Sequence, residues 1–235
     1  MGCNICKFSA YIFAMKRKFL LALTAILILV CATGILVACN RTPDTQAKDN
    51  VSRRTDAYFA GESETFAVSI EKGRREKVFI ADGKATDVVD FCQITVTPLS
   101  ANKYDGIKYT VKGETETLEG ELTSSDYGEY SATVELNFVP KSVTLTAGSD
   151  TDDVELADIL QDKLTSADAI NIAKDGFKDK IEKEASDGKA EREIYVKLIT
   201  GDRESYFYYV SFIGDGVDYW AMLIDPKTGD IVSKR

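Results

Sequence analysis

Between residues 57 and 146 apolar and polar residues alternate with a period of two, in one short run after another. Phe66, Val68 and Ile70 alternate with Ala67, Ser69 and Glu71, and Ile107, Tyr109 and Val111 with Lys108, Thr110 and Lys112. The longest run sets Tyr130, Ala132, Val134, Leu136 and Phe138 against Ser131, Thr133, Glu135 and Asn137. Successive side chains of a strand point to opposite faces, so this pattern predicts antiparallel sheet with one dry side and one wet side. Turn-forming residues separate the runs at Lys72-Gly73, Asp82-Gly83, Asp105-Gly106 and across residues 124–128. Short strands at regular spacing predict a β-sandwich of immunoglobulin-like type over residues 56–148.

The period then changes. Residues 149–163 begin with the acidic Ser149-Asp150-Thr151-Asp152-Asp153 and read as a linker with a short helix from Val154 to Lys163. These carboxylates do not match an EF-hand loop, which needs an inner Gly and a distal Glu. Thr165-Ser166-Ala167-Asp168 forms a capping box, and the helix it opens carries Ala169, Ile170, Ala173, Phe177 and Ile181 at three- and four-residue spacing. Gly176 inside that helix costs roughly 1 kcal/mol relative to Ala, so tertiary packing must hold it. Strands are predicted at 193–199, 205–213, 218–225 and 230–233. The whole is mainly β with an α+β C-terminal domain, in which a helix packs on a small antiparallel sheet over residues 164–235.

The other end of the chain reads as a targeting segment. Residues 1–38 contain no Asp or Glu; Lys16-Arg17-Lys18 precede an uncharged run from Phe19 to Ala38. Cations followed by an apolar run orient an export signal with its positive end inside. Met15 opens a more typical signal than Met1 does, which would make Cys3 and Cys6 irrelevant. Residues 39–55 are almost wholly polar and read as a flexible tether.

Composition narrows the function classes. Without residues 1–38 the chain keeps 197 of its 235 residues, and its net charge moves from −9 to −13 as four cations are lost. So acidic a chain is a poor partner for nucleic acid. The chain has no histidine, which rules out serine–histidine triads and histidine-ligated metals. Cys92 runs in phase with Ile94 and Val96 and reads as a buried, inert thiol. No cofactor is implied.

Two resemblances follow from short motifs. Leu36-Val37-Ala38-Cys39 resembles the lipobox of bacterial lipoproteins, in which the Cys thiol receives a diacylglyceryl group and the chain is cut before it. Cys39 is therefore the candidate lipid attachment site, with Cys31 a poorer fit because the bulky Val30 precedes it. Each buried CH₂ adds roughly 0.8 kcal/mol, so two acyl chains would anchor durably. An uncleaved membrane helix is the alternative; both place the rest of the chain outside the cytoplasm, at the cell membrane.

Residues 164–235 resemble the PepSY domain family. The opening helix matches at Ser166-Ala167-Asp168-Ala169-Ile170-Asn171-Ile172-Ala173, and the closing aromatic strand with its Asp-x-x-Thr-Gly turn matches from Tyr219 to Val232. The charged insert Lys178–Arg192 departs from the family pattern. The resemblance implies modulation of a peptidase or another envelope protein, and it carries no catalytic residue. Asp225 is expected to cap the turn, and Gly229 to supply its positive φ.

The strand pair carries aromatic residues on both faces, and a helix can cover only one. Tyr206, Tyr208, Phe212, Trp220 and Tyr219 are the candidate binding face, to be buried against the β-rich half or offered to a partner. The expected function is a membrane-anchored binding or regulatory module and not an enzyme. The alternatives are a structural or cell-wall-contacting lipoprotein, or a carboxylate-based hydrolase.

Overall fold

The computed structural model describes residues 50–100, 103–125, 128–201, 205–215 and 218–235. The structure is mainly β, with thirteen strands and two helices among the described residues. The strands are β1 (Val51–Glu62), β2 (Phe66–Glu76), β3 (Val88–Pro98), β4 (Ile107–Lys112), β5 (Thr117–Ser124), β6 (Tyr130–Thr133), β7 (Ser142–Ala147), β8 (Asp150–Glu155), β9 (Ala157–Asp158), β10 (Glu193–Thr200), β11 (Tyr206–Ile213), β12 (Tyr219–Ile224) and β13 (Ile231–Lys234). The helices are α1 (Ser166–Gly176) and α2 (Lys178–Ser186). Strand order is β13-β12-β11-β10-β1-β2-β3-β6-β5-β4-β7-β8, with β9 on the free end of β1.

β1 joins the two halves. It pairs antiparallel with β2 along its length, while its other edge takes β10 in parallel at Val51↔Ile194 and β9 further on at Phe59↔Asp158. A register shift between Thr55 and Ala57 changes which parity of residues faces which side. As a result Val51 and Tyr58 reach one core and Ala57 and Phe59 the other. The Thr55 hydroxyl, buried at the shift, donates to Glu71 at 2.6 Å and accepts from the Leu198 amide at 3.2 Å. Gly73 sits opposite this shift, within β2 rather than in the predicted turn. A Cβ there would lie 2.1 Å from the Arg54 carbonyl oxygen, so the strands approach closely only because position 73 has no side chain.

The predicted dry faces are dry. Phe66, Val68, Ile70, Ile94, Val96, Ile107, Tyr109 and Val111 are all buried, with Cys92 among them. The alternating run at 130–138 holds its ladder to β3 only as far as Thr133. Beyond it the Val134 amide still donates to Cys92, but the Lys72 ammonium takes the Leu136 carbonyl at 2.8 Å, where a neighbouring strand would otherwise bond.

Three boundaries move. The stretch read as a tether enters β1 at Val51. The stretch read as a linker and short helix is a hairpin: β8 pairs with β7 from Ala147↔Asp150 to Ser142↔Glu155, around Gly148 at φ +64°. Its acidic residues are strand side chains with local partners, Asp152 accepting from Ser63 at 2.5 Å and Asp153 from Thr144. The helix expected at 154–163 gives way to the end of β8, β9 and a turn, because Val154 is drawn fully into the β-rich core. Gly61 of β1 marks where β8 returns, since a Cβ there would fall 1.9 Å from the Glu155 carbonyl oxygen.

α1 opens at the predicted capping box, with Asp168 accepting from the Thr165 amide at 2.9 Å and Thr165 accepting from the Asp168 amide at 3.2 Å. Ala169, Ala173 and Phe177 sink into a second core with Val196, Leu198, Tyr208, Val210, Met222 and Ile224. The β12–β13 turn is closed by Asp225, which accepts from the Lys227 and Thr228 amides, with Gly229 at φ +79°. The charged insert holds α2, none of whose residues is buried.

Candidate functional site

The five aromatic residues of the candidate binding face do not share one open surface. Tyr206, Tyr208 and Phe212 alternate along one side of β11, and Trp220 stands beside Phe212 on β12. α1 packs on that side, so Tyr208 and Phe212 are core. The Tyr208 hydroxyl donates to the Leu164 carbonyl at 2.9 Å, and burial pushes its pKa up. Tyr206 is half-buried, edge-on to Tyr58. Tyr219 points to the opposite side, 37% exposed, with the Arg235 guanidinium 5.0 Å over its ring. The cause is geometric. Neighbours along a strand cannot face together, and an apolar helix settles on the more apolar side. Cys39 lies outside the described residues.

What remains accessible is the edge of this cluster at Trp220. Phe177, Phe212 and Trp220 form a triangle with ring centroids 5.6, 5.6 and 6.3 Å apart. Between it and α2 lies a half-open cleft of about 440 Å³, floored by Ile181, Ile194, Phe212 and Trp220 and rimmed by Lys174, Lys178, Glu182 and Lys189. The charged insert Lys178–Arg192 is therefore the wall of the cleft.

Arg192 organises the rim. Its Nε and Nη2 donate to the two oxygens of Glu184, each at 2.7 Å, and Nη2 also reaches Asp218 at 2.5 Å. The guanidinium lies 4.0 Å over the Trp220 ring, with the Lys180 ammonium 5.1 Å from the same centroid. A bidentate carboxylate clamp and an aromatic face are the two partners a planar guanidinium suits best. The Arg192 bonds hold the Glu184 carboxyl at a pKa of about 2, helped by Lys189, and Glu184 with Asp218 raises Arg192 in turn. A second hollow, about 390 Å³, adjoins the same ion pair between Gly83, Gly214 and Asp218.

Chemically the cleft suits an amphipathic group, with carbon against Trp220 and Ile181 and polar ends against the rim. Glu184, one of four carboxylates lining it, is held in the ionised form by Arg192. Among the described residues no group of three or more acidic or Cys side chains is placed to hold a metal, and no helix is long and apolar enough to cross a membrane. Phe177 was legible as part of the α1 stripe. Arg192 and Glu184 were not, because eight residues of charged sequence carry no period that pairs them.

No family model, curated protein or solved structure matches this chain.

Proposed function

We propose that the chain is an extracytoplasmic lipoprotein held to the cell membrane through lipid on Cys39, and that its PepSY-like residues 164–235 bind and regulate another envelope protein, a peptidase being the first candidate. In this reading the β-rich half is an immunoglobulin-like sandwich that carries an α+β recognition module. The observation that supports binding is the Trp220 cleft: an aromatic floor beside the Arg192–Glu184 ion pair. Half-open apolar floors with a few oriented charges are how proteins take up a protruding side chain or peptide segment.

Three measurements test it. Palmitate labelling of wild type and Cys39→Ala in cell fractions is expected to show label and membrane retention lost together. Persistent retention of the variant would point to an uncleaved helix. Pull-down from solubilised membranes with wild type and Trp220→Ala is expected to recover an envelope protein with the wild type alone, and inhibition assays on surface proteases ask whether it is a peptidase. Equal recovery by both forms refutes the cleft, and recovery by neither favours a structural role.

A further inference from the structure

One surface feature has no part in the cleft. The loop between β2 and β3 presents Val78, Phe79 and Ile80 to solvent at 71%, 50% and 57% exposure, three consecutive large apolar residues. The base of this loop is firmly built. The Glu76 carboxylate accepts from the Thr86 amide at 2.5 Å, the Lys77 amide donates to Asp87, and Ala85 is buried. Asn50 fastens it from the side, donating to the Gly83 carbonyl at 3.0 Å and accepting from the Ala85 amide at 2.8 Å. The tip is thus held out by its own supports, with only Phe79 leaning on Tyr195 at 5.3 Å. A β-prone apolar tip left in water is an aggregation hazard unless something apolar covers it.

The position of Asn50 says what that is. It is where the segment leading from Cys39 enters the described fold, and it is bonded to the loop itself. Eleven residue steps separate Cys39 from Asn50. Fully stretched they reach at most about 40 Å. If Cys39 carries lipid, the base of the loop is tethered to the bilayer through these eleven steps. Exposed Lys77 and Lys84 flank it and can reach lipid phosphates, while exposed Asp82 and Asp87 in the same loop leave the contact to rest on the apolar side chains rather than on charge.

We infer that Val78, Phe79 and Ile80 form a second membrane contact, dipping into the lipid surface beside the anchor and orienting the folded part. The inference rests on the Cys39 anchor.

The test uses the full, lipidated chain reconstituted in phosphatidylcholine vesicles, with Phe79→Trp compared against wild type, whose only tryptophan is Trp220. Acyl-chain-brominated lipid is expected to remove more than half of the emission added by Trp at position 79, with a blue shift, and to leave the wild-type signal nearly unchanged. A triple change of Val78, Phe79 and Ile80 to Ser is expected to leave the chain floating with vesicles while speeding protease access to the β2–β3 loop. If the chain floats but position 79 is not quenched, the loop contact is overturned and the anchor stands; protection of position 79 only in native membranes would assign the tip to a protein partner instead. If the chain neither takes palmitate nor floats, the anchor fails and the loop contact falls with it.

Discussion

Replacing Arg192 with Met keeps the length of the side chain and removes its charge and donors. Arg192 is only 9% exposed, and Glu184, which it clamps, is 15% exposed. Each hydrogen bond to a charged group is worth about 1.5–3 kcal/mol, and Arg192 makes two such bonds to Glu184. Asp218, at 58% side-chain exposure, adds little. Discounting for the water that still reaches Glu184, Arg192→Met is expected to lose about 2–3 kcal/mol, or about 5–10 °C in Tm for a chain of this size. Arg192→Lys keeps the charge but not the fork or the stacking, and is expected to lose about half as much. Urea unfolding read from Trp220 fluorescence measures all three, and a Glu184→Gln double-mutant cycle isolates a coupling of about 1–2 kcal/mol. The pH signature follows from the depressed carboxyl. Its folded pKa of about 2 lies below the ordinary 4.5, so the stabilisation is complete above 4.5 and disappears as pH falls toward 2. The gap between wild type and Arg192→Met should narrow over that same window. An Arg192→Met variant within about 0.5 kcal/mol of wild type, or a gap indifferent to acid, would refute the reading of this cluster as a half-buried clamp and reduce it to a surface ion pair.

Glu193 is fully buried, and desolvation, reinforced by Glu76 and Asp82, raises its pKa against the lowering effect of Ser52 and Gly83. A raised folded pKa means that the burial penalty is absent in acid and grows as pH climbs past the ordinary carboxylate value. Glu193→Gln is therefore expected to stabilise the chain at pH 7 and to leave its stability unchanged in acid, as denaturant titrations at the two pH values would show. Gly61→Ala drives a methyl group to 1.9 Å from the Glu155 oxygen, so β8 must separate from β1; a loss of about 2 kcal/mol or more is expected in thermal unfolding. Burial pushes the Cys92 thiol up to about 11, so mass-mapped alkylation at pH 8 should leave it unmodified in the folded chain and modify it in urea.

Much of the secondary structure was legible because it is encoded locally. Period-two runs such as Phe66–Ile70 and Ile107–Val111 need only one dry side to become strands, and the Thr165–Asp168 capping box and the Asp225–Gly229 turn are complete within a few residues. What was misread depended on distant neighbours. Asp150–Glu155 looks like a linker until β7 offers it a ladder, and Gly73 looks like a turn until the Arg54 backbone presses on it. The Trp220 cleft belongs to the same class. A sequence shows that Trp220 and Arg192 exist, but the 4.0 Å stacking between them requires β10, β11 and β12 to be aligned and α2 to close over them. Local hydrogen bonding and side-chain period act over a few residues, and the chain states them directly. Register and long-range pairing are settled only by the total apolar burial of the assembled sheet, a quantity no short stretch of sequence contains.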